Sequence, residues 1–265
     1  MRMKSDIATG LTLLMLGISA GQAALTVDRS RLIFNEGENA ISVNVTNRSI
    51  QHPYLAQSWL EDEQENKLTG PLMVLPPLQR VEADGKTQVR VQQLPETASL
   101  PKDRESVFYF NLREIPPKSD KANVLTLAIQ TRMKLFYRPK GIKVDPMLGT
   151  VPGTETLTLS RQGDKYTLNN PTPYHFTFVE GRSSEKGTGL AGFEPVMVAP
   201  KGTITLPVAQ YGSTPVLMFV NDYGSQRLLP FSCSRDTCRA GKVIVPSLTK
   251  TDEQATVAPF SAKEE

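Results

Sequence analysis

The chain has 265 residues, 39% hydrophobic and 22% charged, with 20 prolines, 18 glycines and a formal net charge of +3. This near balance lacks the basic excess of a nucleic-acid binder, so no polyanionic partner is expected. Few stretches carry the periodicity of an amphipathic helix, whereas short alternating runs recur throughout, which predicts an all-β protein rich in turns.

The N-terminus opens with Arg2 and Lys4, continues through an apolar run from Leu11 to Ile18, and closes on Gly21, Gln22 and Ala23. This is the layout of a secretory signal over residues 1–23, with cleavage after Ala24 as the alternative. The run is shorter than the ~20 residues that span a bilayer, and no later stretch approaches that length, so the chain is not expected to be membrane-embedded. Roughly 240 residues follow the signal, enough for two ordinary domains.

Alternating runs then come at 25–34, 40–46, 54–61, 72–75, 86–91 and 106–113, and a seventh spans 123–139. Seven strands over this length predict an immunoglobulin-like sandwich for residues 24–143. No cysteine pair flanks Trp59, the sole tryptophan, which is expected in the core. The seventh run is unusually long for one strand, at ~3.4 Å per residue against a common ~17 to 20 Å. Leu125, Leu127, Ile129, Met133 and Leu135 would share one face, and Thr126, Gln130, Arg132 and Lys134 the other. Alternation alone would equally suit a row turned toward this protein's own core.

After Pro139 the alternation lapses around Gly141, Pro146 and Gly149, which marks a linker. Runs at 154–160, 165–168, 174–180, 196–198, 203–208, 216–220, 227–232 and 243–245 predict a second sandwich or barrel over residues 144–246. A mobile polar tail is expected over 247–265. Cys233 and Cys238 flank Ser-Arg-Asp-Thr. In an exported chain a disulfide closing a hairpin end is favoured over a metal site, because zinc usually takes four protein ligands and no histidine lies nearby in sequence.

The only histidines are His52 and His175, both in turn-like or strand-start settings. No phosphate loop, dinucleotide fingerprint, Gly-x-Ser-x-Gly or His-Glu-x-x-His is present. A non-enzyme without cofactor or metal is expected.

The segment at 100–117, Leu-Pro-Lys-Asp-Arg-Glu-Ser-Val-Phe-Tyr-Phe-Asn-Leu-Arg-Glu-Ile-Pro-Pro, followed by Lys-Leu-Phe-Tyr-Arg-Pro at 134–139, closely resembles the periplasmic pilus (fimbrial) assembly chaperones of the chaperone/usher pathway. Further matches lie at 27–34, at 53–59, at Asn-Pro-Thr-Pro-Tyr (170–174), at Val-Asn-Asp-Tyr-Gly (220–224) and in the two cysteines. The short cysteine-free segment 116–122 resembles the short-loop branch.

The resemblance implies two immunoglobulin-like domains at an angle around a cleft, and a chaperone that stabilises pilus subunits by donor-strand complementation before delivery to an outer-membrane usher. Arg31 and Lys134 match the family's anchor for the subunit's C-terminal carboxylate. Leu125, Leu127 and Ile129 match the donor side chains, with Asn123 and Met133 at the ends of the row. Glu105, Arg138 and Asp222 match a charged link between the domains. Self-association of the free protein, as in some relatives, would cover the donor row. A regular strand would set Lys134 and the donor row on opposite faces.

Overall fold

The computed structural model describes residues 23–118, 126–163, 165–207 and 211–246. The signal-like run, donor positions Asn123 and Leu125, and the tail from residue 247 lie outside them.

The first domain has nine strands among the described residues: β1 (Leu25–Val27), β2 (Arg31–Asn35), β3 (Ala40–Asn47), β4 (Tyr54–Glu61), β5 (Leu72–Leu75), β6 (Leu78–Val81), β7 (Lys86–Gln93), β8 (Ser106–Ile115) and β9 (Gln130–Arg138). They form two facing sheets, ordered β1-β3-β7-β5 and β2-β9-β8-β4-β6. The alternation decides which residues meet between them. Val43, Val45, Val89 and Val91 of one sheet and Leu60, Phe110, Leu112 and Leu135 of the other are at most 2% exposed and share one core.

The run at 25–34 is divided between the two sheets. β1 pairs with β3, and after Asp28, Arg29 and Ser30 the chain crosses to pair in parallel with β9. The parity of buried residues flips with the crossing, from Leu25 to Leu32 and Phe34. Glu114, buried on β8, accepts from the Leu25 backbone N at 2.9 Å and ties this switch to the opposite sheet.

Two expectations are corrected. Trp59 is only half-buried, because the inward residues of β4 are Ala56, Ser58 and Leu60. Its ring faces outward beneath Arg113, with the guanidinium 5.3 Å from the ring centroid, and its Nε1 donates to Glu61 Oε1 at 2.7 Å. The long run is likewise not one uniform strand with a free apolar face. Ladder pairing begins at Gln130, and Met133 and Leu135, 4% and 0% exposed, belong to this domain's own core. The Met133 side chain is thereby unavailable as the end of a donor row.

A linker with short 3₁₀ turns at Lys140–Ile142, Pro146–Leu148 and Thr154–Thr156 leads into the second domain. Its strands are β10 (Thr158–Gln162), β11 (Lys165–Asn170), β12 (Phe176–Arg182), β13 (Val196–Val198), β14 (Gly202–Thr205), β15 (Val216–Val220), β16 (Gln226–Ser234) and β17 (Thr237–Ala240). The first half of β16 pairs with β15 and the second half with β17, so one chain passes through both layers. The two layers enclose Leu159, Leu168, Phe178, Leu217, Phe219 and Phe231. Cys233 and Cys238 sit directly opposite each other on β16 and β17 and form a disulfide. The expected strand at 243–245 is reduced to a single bridge between Leu228 and Ile244.

Candidate functional site

The residues expected to form the anchor come from different strands, and sheet register brings them together. In the parallel β2–β9 ladder Arg31 lies directly opposite Lys134. Both side chains are half-buried. Arg31 donates through Nη1 to the Val220 carbonyl of the second domain at 2.8 Å, and its buried Nε has no hydrogen-bond partner among the described residues. Among the described residues no carboxylate forms an ion pair with Lys134 or Arg31. Burial, then the Arg31 and Arg132 charges, hold the Lys134 ammonium below its ordinary pKa. Burial also lowers that of Arg31, against the pull of Asp222 and Glu105. Two adjacent, partly desolvated cations with N–H donors left over among the described residues are an arrangement that can accept an anion.

The charged link lies four residues further along β9. Arg138 is 3% exposed. It donates to Glu105 Oε1 through Nε at 2.9 Å and Nη2 at 2.7 Å, and to both Asp222 oxygens at 2.7 and 3.1 Å. Burial alone would lower its pKa, but the hydrogen bonds and charges of Asp222 and Glu105 outweigh burial and raise it. Its guanidinium also lies 5.2 Å from the Tyr174 ring centroid.

Two turns of the second domain present these partners. Asn170 Oδ1 accepts from Thr172 N and Oγ1, while its Nδ2 donates to the Tyr174 and Ala199 carbonyls. That side chain shapes the Asn-Pro-Thr-Pro-Tyr segment against the first domain. In the second turn Asn221 Oδ1 accepts from Tyr223 N and Ser225 N, and its Nδ2 reaches the Gly149 carbonyl of the linker. Gly224 has φ +81°, and a Cβ there would come within 2.5 Å of Ser30 Oγ, so the close approach of the domains needs glycine at this position. A cleft of about 370 Å³ beside this contact is lined by Arg31, Arg138, Asp222 and Tyr223, among others.

The sequence did not point to His175. Its side chain is 5% exposed, its backbone N donates to Glu105 Oε2 at 2.8 Å, and its Nδ1 lies 3.2 Å from the same oxygen. The imidazole faces Phe136, with ring centroids 5.2 Å apart. A histidine at a strand start carries no local sign of such a contact, which spans 70 positions in the sequence.

The segment expected to be the donor differs from a buried core strand. Along the odd row of β9 burial is complete at Tyr137, Leu135 and Met133, partial at Thr131 and Ile129, and lost at Leu127, which is 70% exposed. β2 pairs only with Lys134–Arg138, so among the described strands the same edge of β9 from Gln130 to Met133 has no neighbour. Among the described residues no helix is long and apolar enough to cross a membrane, and no group of three or more His, Cys, Asp or Glu could hold a metal.

Two β-sandwiches joined by the Glu105–Arg138–Asp222 ion network, with an open strand edge ending beside Arg31 and Lys134, define a protein built to bind other chains. Residues 24–143 match the family model described as pili and flagellar-assembly chaperone, PapD N-terminal domain, and residues 152–230 match that of the PapD pili assembly chaperone C-terminal domain. The chain is 48% identical over 217 residues to the probable fimbrial chaperone YfcS of Escherichia coli K12, covering 82% of this chain and 86% of YfcS. It is 43% identical over 226 residues to the chaperone protein PapD of Escherichia coli, covering 85% and 93%. The solved periplasmic chaperone SfaE shares the fold with a TM-score of 0.60 and 31% identity, covering 76% of this chain and 95% of SfaE. The chain belongs to the pilus-assembly chaperone family, whose members are chaperones and not enzymes.

Proposed function

We propose that this periplasmic chaperone holds a pilus subunit along the open edge of β9, with the subunit's C-terminal carboxylate on Arg31 and Lys134. It then passes the subunit to an outer-membrane usher. The observation that carries this reading is the direct pairing, where the open edge ends, of two cations that form no ion pair among the described residues. β9 runs toward Lys134, so a segment lying along residues 126–133 with its terminus at Lys134 runs parallel to it. Strand addition at a sheet edge is an established recognition mode, chaperone–pilin pairs among its examples, and it removes the exposed edge that would drive subunit aggregation.

Leu127, Ile129 and, before them, Leu125 supply apolar side chains to the partner's core. Leu127 already projects beyond the protein's own core. This row shares its parity with Met133, Leu135 and Tyr137 of the domain core, while Lys134 has the opposite parity, that of Phe136 and Arg138. Donor row and anchor can therefore serve one partner from two faces of the same strand. Asn123 lies at the far end of the segment. The cysteine-free connection after β8 supports the short-loop branch, and the same open edge would support self-association of the free protein.

The reading is tested by mixing the mature chain with a pilus subunit, either with its free C-terminal acid or with a C-terminal amide. A stable one-to-one complex weakened by amidation is expected. Equal binding of the two forms would exclude the anchor.

A further inference from the structure

We infer that His175 is a proton-linked positioning residue, whose imidazolium form favours a carboxylate on Arg31 and Lys134 so that anchoring tightens as the surroundings acidify. This rests on the anchor reading above.

His175 lies in a small interdomain cavity that Arg31 and Asp222 also line. Apart from Val151 of the linker, the elements around it bring charges or rings. Glu105 comes from the loop before β8, Arg31 from β2, Phe136 with Arg138 from β9, Asp222 from the β15–β16 turn, and Tyr174 from its own segment. Glu105 receives N–H donors from Arg138 and from the His175 backbone, so it acts as an acceptor throughout, and a proton on Nδ1 is what lets the imidazole face it at 3.2 Å. Further protonation then occurs at Nε2.

The charges around the cavity cancel before that step, Arg31 and Arg138 against Glu105 and Asp222. Lys134 adds one positive charge beside Arg31. Protonating His175 adds a second, and a partner's carboxylate removes one. Proton and carboxylate therefore favour each other, and each must raise the affinity for the other by the same factor. The path between them is short. His175 packs on Phe136, whose next neighbour on the same face of β9 is Lys134, about 7 Å along the strand. With one side chain between the imidazole and Lys134, and in partly solvated surroundings, we expect the coupling to be worth about threefold to fivefold in affinity. Glu105 bridges His175 to Arg138, so the proton also bears on the network that fixes where the second domain holds Arg31 through Val220.

The experiment measures binding of a synthetic peptide with the sequence of a pilus subunit's last strand and no ionisable side chains, as free acid and as C-terminal amide, to the mature protein at pH 8 and pH 5.5. The free acid is expected to bind threefold to fivefold more tightly at pH 5.5, the amide to show no such gain, and His175→Tyr to abolish the gain. Equal binding of acid and amide at both pH values would overturn the anchor. Acid-selective binding with no pH gain, or with a gain that survives in His175→Tyr, would overturn the role of His175 alone. The unmodified protein supplies a check that needs no variant, because its two histidines can be followed separately by NMR. When the free-acid peptide is added near neutral pH, the His175 ring signals should move toward those of an imidazolium, and the amide should not move them. An unshifted His175 would refute the coupling.

Discussion

Lys134 and Arg138 stand on the same face of one strand, four positions apart, and their surroundings treat them oppositely. Arg138 is the more deeply buried, yet two carboxylates satisfy it and its charged form is favoured. Lys134 is less buried, but its nearest charges are cations, and its charged form is disfavoured. The difference teaches how one strand can carry both a structural joint and a binding site. A neutralised charge holds two domains together, whereas a charge left without a partner waits for one.

The largest effect that would test this contrast is expected at Arg138. Arg138→Met leaves Glu105 buried opposite an apolar side chain and should cost about 3 to 5 kcal/mol of stability. Urea denaturation measures it, and a loss below 1 kcal/mol would mean that the network contributes little. Lys134→Met should behave in the reverse way. Its denaturation midpoint should stay level or rise, while affinity for a subunit falls by about 1.5 to 3 kcal/mol, the worth of a charged hydrogen bond. A folding defect as large as that at Arg138 would erase the distinction.

Removing the disulfide by Cys233→Ala with Cys238→Ala extends the comparison to a joint within one domain. The short loop it closes predicts a loss of about 2 kcal/mol in stability with subunit affinity retained. Leu127→Asp should leave stability within about 0.5 kcal/mol, because the side chain is exposed in the free protein. It should still weaken subunit capture, and undiminished capture would remove Leu127 from the donor row.

The smallest expected effect is a pH dependence. The folded-state pKa of Lys134 lies below its ordinary value of 10.5, so the folded chain binds that proton less tightly than the unfolded one. The cost is fully present at neutral pH and is relieved as pH rises from the lowered value toward 10.5. Denaturation midpoints across this alkaline window should rise more in the parent than in Lys134→Met.

The legible parts of the fold were those where neighbours in sequence carry the signal. The runs at 54–61 and 72–75 became β4 and β5 with the bounds read from alternation, and those at 196–198 and 216–220 became β13 and β15. β6 was missed, since Leu78 and Arg80 are exposed at the sheet edge and show no buried alternation. β17 was missed because the disulfide partner Cys238 is its one fully buried side chain. Trp59 was misplaced because hydrophobic character names a preference for burial, whereas strand parity set by Ala56, Ser58 and Leu60 decides the face.

By itself the sequence determined that this is a two-domain β protein, because period-two alternation and its interruption after Pro139 are local properties. Its motifs carried the family resemblance and singled out Arg31, Lys134, Glu105, Arg138 and Asp222. Only the tertiary structure decided what each of those charges faces. The parallel register of β2 on β9 set Arg31 beside Lys134, and the approach of two turns from the second domain neutralised Arg138 and enclosed His175. Electrostatic partners are chosen by distance in space, and the contact between Arg138 and Asp222 spans 84 positions of chain that no local pattern encodes.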